Sequence, residues 1–186
     1  MQIDSIFPTC ILRDSDLSLA EELLPLCNQY TSASRDTLLN IDNYPSTLGS
    51  SELNPLVNSE PLVRKALYTI INKYAPALAE SMGMSFESIE FKPYGFFSSM
   101  HKHAFLRKHM HHYCTFSGTV YLEIDGDAPP LVLHNPRPIS VFTNQVGNTT
   151  IIHPKAGDIV MWNSWLEHEV PQMTESCTRK AFSFNI

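Results

Sequence analysis

Positive charge is scarce in this chain. Thirteen Lys and Arg stand against 19 Asp and Glu, for a net charge of −6. No Lys/Arg cluster offsets that balance, which argues against a nucleic-acid footprint. Cysteine is sparse and scattered: Cys10, Cys27, Cys114 and Cys177 form no C-x-x-C pair, and they read as free thiols of a reducing compartment. No apolar run is long enough to span a bilayer, and Met1 to Ser5 has neither a basic segment nor an apolar stretch of signal-peptide type. The expectation is a cytoplasmic protein with no membrane and no nucleic-acid partner. Seven glycines against 13 prolines predict many turns and few uninterrupted long helices. What remains is 43% apolar composition, enough for a sizeable core. At 186 residues this predicts one domain, 1–186, with an N-terminal part (1–85) packed on a β-rich part (86–186).

Ile6 to Leu12 is apolar and β-branched and reads as a strand, which Pro8 confines to an edge. Asp14-Ser15-Asp16 offers an N-cap. Leu17, Ala20, Leu23, Leu24 and Cys27 follow at helical spacing, predicting a helix that ends near Tyr30. Residues 31 to 58 are rich in Ser, Thr, Asn and Asp and read as loop. Ser59-Glu60-Pro61 starts a second helix, which Pro76 should kink or split and Gly83 should stop. From Phe86 the texture changes to short β-rich runs near 86–97, 107–112, 115–124, 131–134, 139–143, 149–153, 158–163, 166–170 and 179–185. Short strands separated by turn residues point to a sandwich or barrel, the jelly roll among them, with the helices against the outside of one sheet.

The histidines are uneven. His101, His103, His109, His111 and His112 fall within twelve residues and make two H-x-H frames. Residues i and i+2 of a strand share a face, so His109 and His111 can present two imidazoles together. The second frame is favoured because it leads into the core strand near 115–124. The plain alternative is a solvated polar loop. Downstream, alternation puts Leu166, His168 and Val170 on one face, with Glu167 and Glu169 on the other. His168 is then either a core histidine bonded to backbone or a third ligand. Arg179, Ala181, Ser183 and Asn185 share a face of the last strand, and one guanidinium among small residues is a poor core but a good wall for a carboxylate. Tyr121 shares a face with Thr119 and Glu123; its phenol either joins that wall or caps the core edge. Gly157 in Pro154-Lys155-Ala156-Gly157-Asp158 is read as a turn residue needing positive φ.

Taken together these residues resemble the Fe(II)/2-oxoglutarate-dependent dioxygenase superfamily, closest to its prolyl-hydroxylase-like branch and to bacterial and phage oxygenases with an H-x-H motif. The matches are Ile6-Phe7-Pro8-Thr9, His109-x-His111 and Ser117-Gly118-Thr119-Val120-Tyr121-Leu122. Pro154-x-x-Gly157-Asp158, His168-Glu169-Val170, and Arg179 leading into Ser183-Phe184-Asn185 complete them. The resemblance covers residues 86 to 186 well and the N-terminal part weakly, and order and spacing carry it. It implies a mainly β fold with N-terminal helices, a cupin-like double-stranded β-helix. It implies Fe(II) on His109, His111 and His168, and 2-oxoglutarate on Arg179 and Tyr121, with Ser183 on the same wall. It further implies molecular oxygen as oxidant, release of succinate and CO2, and a small-molecule or peptidic substrate; a homodimer is left open. The chain departs from the superfamily pattern at position 111, where Asp or Glu is usual, and it contains no H-x-D or H-x-E. Two other readings stand beside this one: a three-histidine cupin-type dioxygenase independent of 2-oxoglutarate, and a non-catalytic jelly-roll binding module.

Overall fold

The computed structural model describes residues 8–34, 44–89, 91–137, 148–174 and 177–186. Its β-rich part is two antiparallel sheets. The larger has the order β1 (Ile11–Ser15), β7 (Asp158–Asn163), β4 (Phe116–Asp125), β9 (Thr178–Asn185), β2 (Tyr94–Met100). The smaller has the order β3 (Leu106–His109), β8 (His168–Val170), β5 (Leu131–His134), β6 (Thr149–Ile152). Consecutive strands alternate between sheets in the middle of the chain, which is the double-stranded β-helix the resemblance implies.

The larger sheet is covered on both faces, and its strands other than the edge strand β1 are correspondingly buried along much of their length. Val120, Leu122, Ile159, Met161, Phe182 and Phe184 pack with the helices. Tyr121, Val160 and Trp162 point the other way, to Leu131, Leu133 and Ile152 of the smaller sheet. Alternation along each strand thus separates a helix-facing core from an inner face, and the inner face lines the cavity. Gly118 sits at a close approach between β4 and its neighbours β9 and β7. A Cβ there would lie 2.3 Å from the Phe184 ring and 2.6 Å from the Val160 carbonyl oxygen.

Helix α1 (Leu17–Ala33) begins as expected, with Asp16 Oδ1 accepting from the Leu19 N–H at 2.9 Å. It runs three residues past the expected end, to Ala33, and Thr31 Oγ1 bonds the Cys27 carbonyl inside it. Leu17, read as part of its apolar face, is instead exposed. Gly157, with φ +90, accepts from the Asp16 N–H and donates to the Tyr121 carbonyl, both at 2.8 Å, so that turn joins helix start to sheet. The segment read as loop contains a helix, α2 (Leu53–Ser59), in which only Val57 is buried. It escapes periodicity because its anchoring is polar. Asn58 bonds both the N–H and the carbonyl of Gly95 (2.8 and 2.9 Å), closing part of the β2 edge.

The second expected helix is split as Pro76 requires, into α3 (Pro61–Thr69), a π-helical turn (Ile70–Tyr74) and α4 (Ala75–Ser81). Gly83 ends it, with Met84 N bonding Ala79 O and Gly83 N bonding Glu80 O, the paired bonds of a Schellman motif. The expected strand at 86–97 is a 3₁₀ turn (Phe86–Ser88) followed by β2. The expected first strand begins later, at Ile11, and does lie at a sheet edge. The run at 139–143 lies outside the described residues, as do Ile6 and Phe7. Among the described residues no helix is long and apolar enough to cross a membrane.

Candidate functional site

His109 ends β3 and His168 begins β8, and the two are direct cross-strand partners. Their ring centroids are 4.2 Å apart. His111 joins them differently from the strand reading. β3 stops at His109, so His111 is not placed by pleat alternation. Its backbone N–H is instead held by the Ser164 carbonyl at 2.9 Å, and its ring stands 5.2 Å from that of His109 and 5.0 Å from that of His168. One nitrogen from each of the three lies within 4.8 Å of the others.

The tautomers follow from the acceptors. His109 Nδ1 lies 2.8 Å from the Arg107 carbonyl oxygen, and His168 Nδ1 lies 2.9 Å from that of Leu166. His111 Nδ1 meets Asn185 Oδ1. An oxygen of this kind only accepts, so each Nδ1 carries the proton and each Nε2 presents a lone pair. The Nε2 atoms of His109 and His111 face each other at 3.2 Å. Two lone pairs at that distance repel unless a cation lies between. Donors at about 2.1 Å from one ion and at right angles would be about 3 Å apart. The rings are also kept neutral. Burial pushes all three pKa values down, and His168, which also feels His109, falls to about 3. The donor set therefore fits a divalent transition metal.

From the histidines a cavity of about 280 Å³ runs between the sheets. Arg179, Ala181, Ser183 and Asn185 line one wall, as the shared face of β9 requires. Arg179 is buried, with no carboxylate within 4.0 Å among the described residues. Its Nη2 donates to the Tyr121 hydroxyl at 3.1 Å, its Nη1 touches Met100 Sδ at 3.5 Å, and its Nε has no partner. Tyr121 is fully buried behind it, and burial raises its phenol pKa. Ser183 stands closer to the histidine end, with its Oγ 3.4 Å from Thr119 Oγ1.

The other frame is not part of this cluster. His101 Nε2 bonds Ser99 Oγ at 2.8 Å and His103 is exposed. Glu167 and Glu169 face away as the alternation predicts, toward Lys108 (2.9 Å) and His134 (3.3 Å). Sequence reasoning missed Tyr44, which is buried and lines the cavity with Arg179. It is carried there by the pairing of Ser46 with Ser98, a contact between segments with no common pattern. The supporting role of Asn185 and Ser117 behind His111 was also missed. Asn185 was on the correct face, but nothing in sequence marks its partner.

Residues 96–185 match the protein family described as "Putative 2OG-Fe(II) oxygenase". No curated protein matches the chain by sequence. Among solved structures it is similar to a Pseudomonas putida prolyl-4-hydroxylase, at TM-score 0.61 and 15% identity over 96% of this chain and 87% of that one. It is also similar to HygX from Streptomyces hygroscopicus with nickel and 2-oxoglutarate bound (0.62, 12%, 95% and 82%). A third is a Trichoplax adhaerens prolyl hydroxylase in complex with a hypoxia inducible factor oxygen degradation domain peptide (0.62, 15%, 94% and 82%). These likenesses show the fold. The family match spans the segment that carries all three histidines, so residues 96–185 are similar to the Fe(II)- and 2-oxoglutarate-dependent oxygenases.

Proposed function

We propose that His109, His111 and His168 hold Fe(II), that Arg179 and Tyr121 take the distal carboxylate of 2-oxoglutarate, and that the enzyme hydroxylates a C–H bond of a small molecule or protein side chain. The observation that carries this is the tautomer pattern: three Nδ1 atoms committed to oxygen acceptors, three Nε2 lone pairs converging. Bound together, the metal and co-substrate supply oxygen activation coupled to oxidative decarboxylation: substrate C–H, O2 and 2-oxoglutarate become substrate C–OH, succinate and CO2.

The protein's own part is positional. A buried guanidinium with an unpartnered Nε calls for an anion, since an uncompensated charge in the interior is costly. Tyr121 orients that guanidinium. Ser183 and Thr119 offer hydroxyls between it and the histidines, along the wall that the body of the co-substrate would follow. The rest of the lining includes Leu48, Phe96, Leu106, Met110 and Val170, and among the described residues its only charged group is Arg179. That composition favours an uncharged, apolar part of the substrate near the metal and keeps water out. The four free cysteines support a reducing, cytoplasmic setting.

Anaerobic titration tests the assignment. The intact chain is expected to bind one Fe(II) and to develop a weak visible absorption when 2-oxoglutarate is added. His168→Ala should lose the metal while keeping its fold. Arg179→Ala should keep the metal and lose 2-oxoglutarate affinity by about 100-fold or more, the scale of a truncated buried charge contact. Undiminished 2-oxoglutarate binding by Arg179→Ala would transfer support to a dioxygenase that does not use it.

A further inference from the structure

We propose that Asn185, backed by Ser117, is the positioning residue that makes His111 a metal donor. This rests on the reading of His111 as a ligand.

The three imidazoles are not supported alike. His109 and His168 bond main-chain carbonyls two residues earlier, Arg107 and Leu166, so the strands that carry those rings also orient them. His111 lies beyond the end of β3, and no main-chain carbonyl meets its Nδ1. Its ring depends on a side chain from β9, far away in sequence. Asn185 is 2% exposed and Ser117 fully buried. Ser117 Oγ donates to Asn185 Oδ1 at 2.7 Å and stands 3.0 Å from His111 Nδ1. Cys114 Sγ also lies 3.7 Å from Asn185 Oδ1, so the amide oxygen faces the donors gathered around His111.

Two consequences follow. Without an acceptor at 185 the His111 ring can turn about its side-chain bonds or put its proton on Nε2, and either change removes the inward lone pair. The support is also uncharged, as are the three donors, and among the described residues no carboxylate belongs to the cluster. An Asp at 185 would keep the acceptor and add negative charge one hydrogen bond from the metal, raising the basicity of His111.

The experiment is Co(II) binding to the full chain by anaerobic calorimetry, with the visible Co(II) spectrum as a second readout, for Asn185→Leu, Asn185→Asp, Ser117→Ala and His111→Ala. Asn185→Leu is expected to weaken Co(II) by about 10- to 100-fold and to change the spectrum. Ser117→Ala should weaken it less. Asn185→Asp should bind Co(II) more tightly than the unsubstituted chain. Asn185→Leu with the original affinity and spectrum, while His111→Ala is impaired, overturns the inference and leaves the metal assignment standing. His111→Ala with undiminished Co(II) affinity overturns the ligand reading itself. If Asn185→Leu does not fold, Asn185→Asp decides: equal or weaker Co(II) binding counts against the proposal.

Discussion

Burial holds His168 neutral, and this makes the stability of the metal-free protein depend on pH. Its pKa is about 3 in the folded chain against an ordinary 6.5. Below 6.5 the unfolded chain therefore binds more protons than the folded one, and stability falls as pH falls. The loss is expected to be about 1.4 kcal/mol per pH unit from near pH 6 toward pH 3, with little slope above pH 7. Thermal melts of the apoprotein across that range should show it, and His168→Ala should flatten it; equal slopes in the two proteins would contradict the burial argument. Arg179 makes a complementary case. Its guanidinium is buried with no carboxylate beside it among the described residues, so Arg179→Met should stabilise the protein in the absence of 2-oxoglutarate by about 1–4 kcal/mol. A less stable Arg179→Met chain would show that the charge is better compensated than its contacts indicate. Both residues were legible as chemistry in the sequence, since an imidazole between apolar neighbours and a lone guanidinium among small residues need partners. Their partners were legible only in part, because Tyr121 was named and Met100 was not.

Among the elements, β4 and β9 are the frame of the site, since they carry Ser117, Tyr121, Arg179, Ser183 and Asn185 on their inner face while packing the helices on the outer one. Their close approach at Gly118 leaves no room for a methyl group. Gly118→Ala is expected to cost about 1–3 kcal/mol, seen as a fall of roughly 2–12 °C in Tm for a chain of this size; an unchanged Tm would mean that Phe184 moves aside freely. Several strands were read almost to the residue: β5 and β7 as observed, β9 one residue off at its start and β4 shifted by one residue at both ends. The elements that escaped have polar anchors. α2 hangs on Asn58 against the β2 edge, and the loop carrying His111 hangs on Ser164 and Asn185. Hydrophobic periodicity is silent about a segment whose position is set by hydrogen bonds to distant backbone.

For the whole molecule, one buried cluster joins residues of α1, α3 and α4 to β2, β4, β7 and β9. We propose on that basis that helices and β-helix unfold as one domain. Far-ultraviolet and near-ultraviolet dichroism should then melt together, and two separated transitions would divide the chain. Metal and 2-oxoglutarate together should raise that single transition, by about 2.7 kcal/mol for a ligand at one hundred times its Kd; a chelator should reverse the shift. The β-rich class of the fold, the three candidate histidines and the face shared by Arg179, Ala181, Ser183 and Asn185 were legible in the sequence alone, because strand-forming texture and the donor chemistry of side chains are local properties. Only the tertiary structure decided how the third imidazole is aimed, what lies behind it and which segment closes the far end of the cavity. Those depend on contacts between residues far apart along the chain, such as His111 with Asn185 and Ser46 with Ser98, and such contacts form only when the two sheets and the segment before α2 are folded against one another.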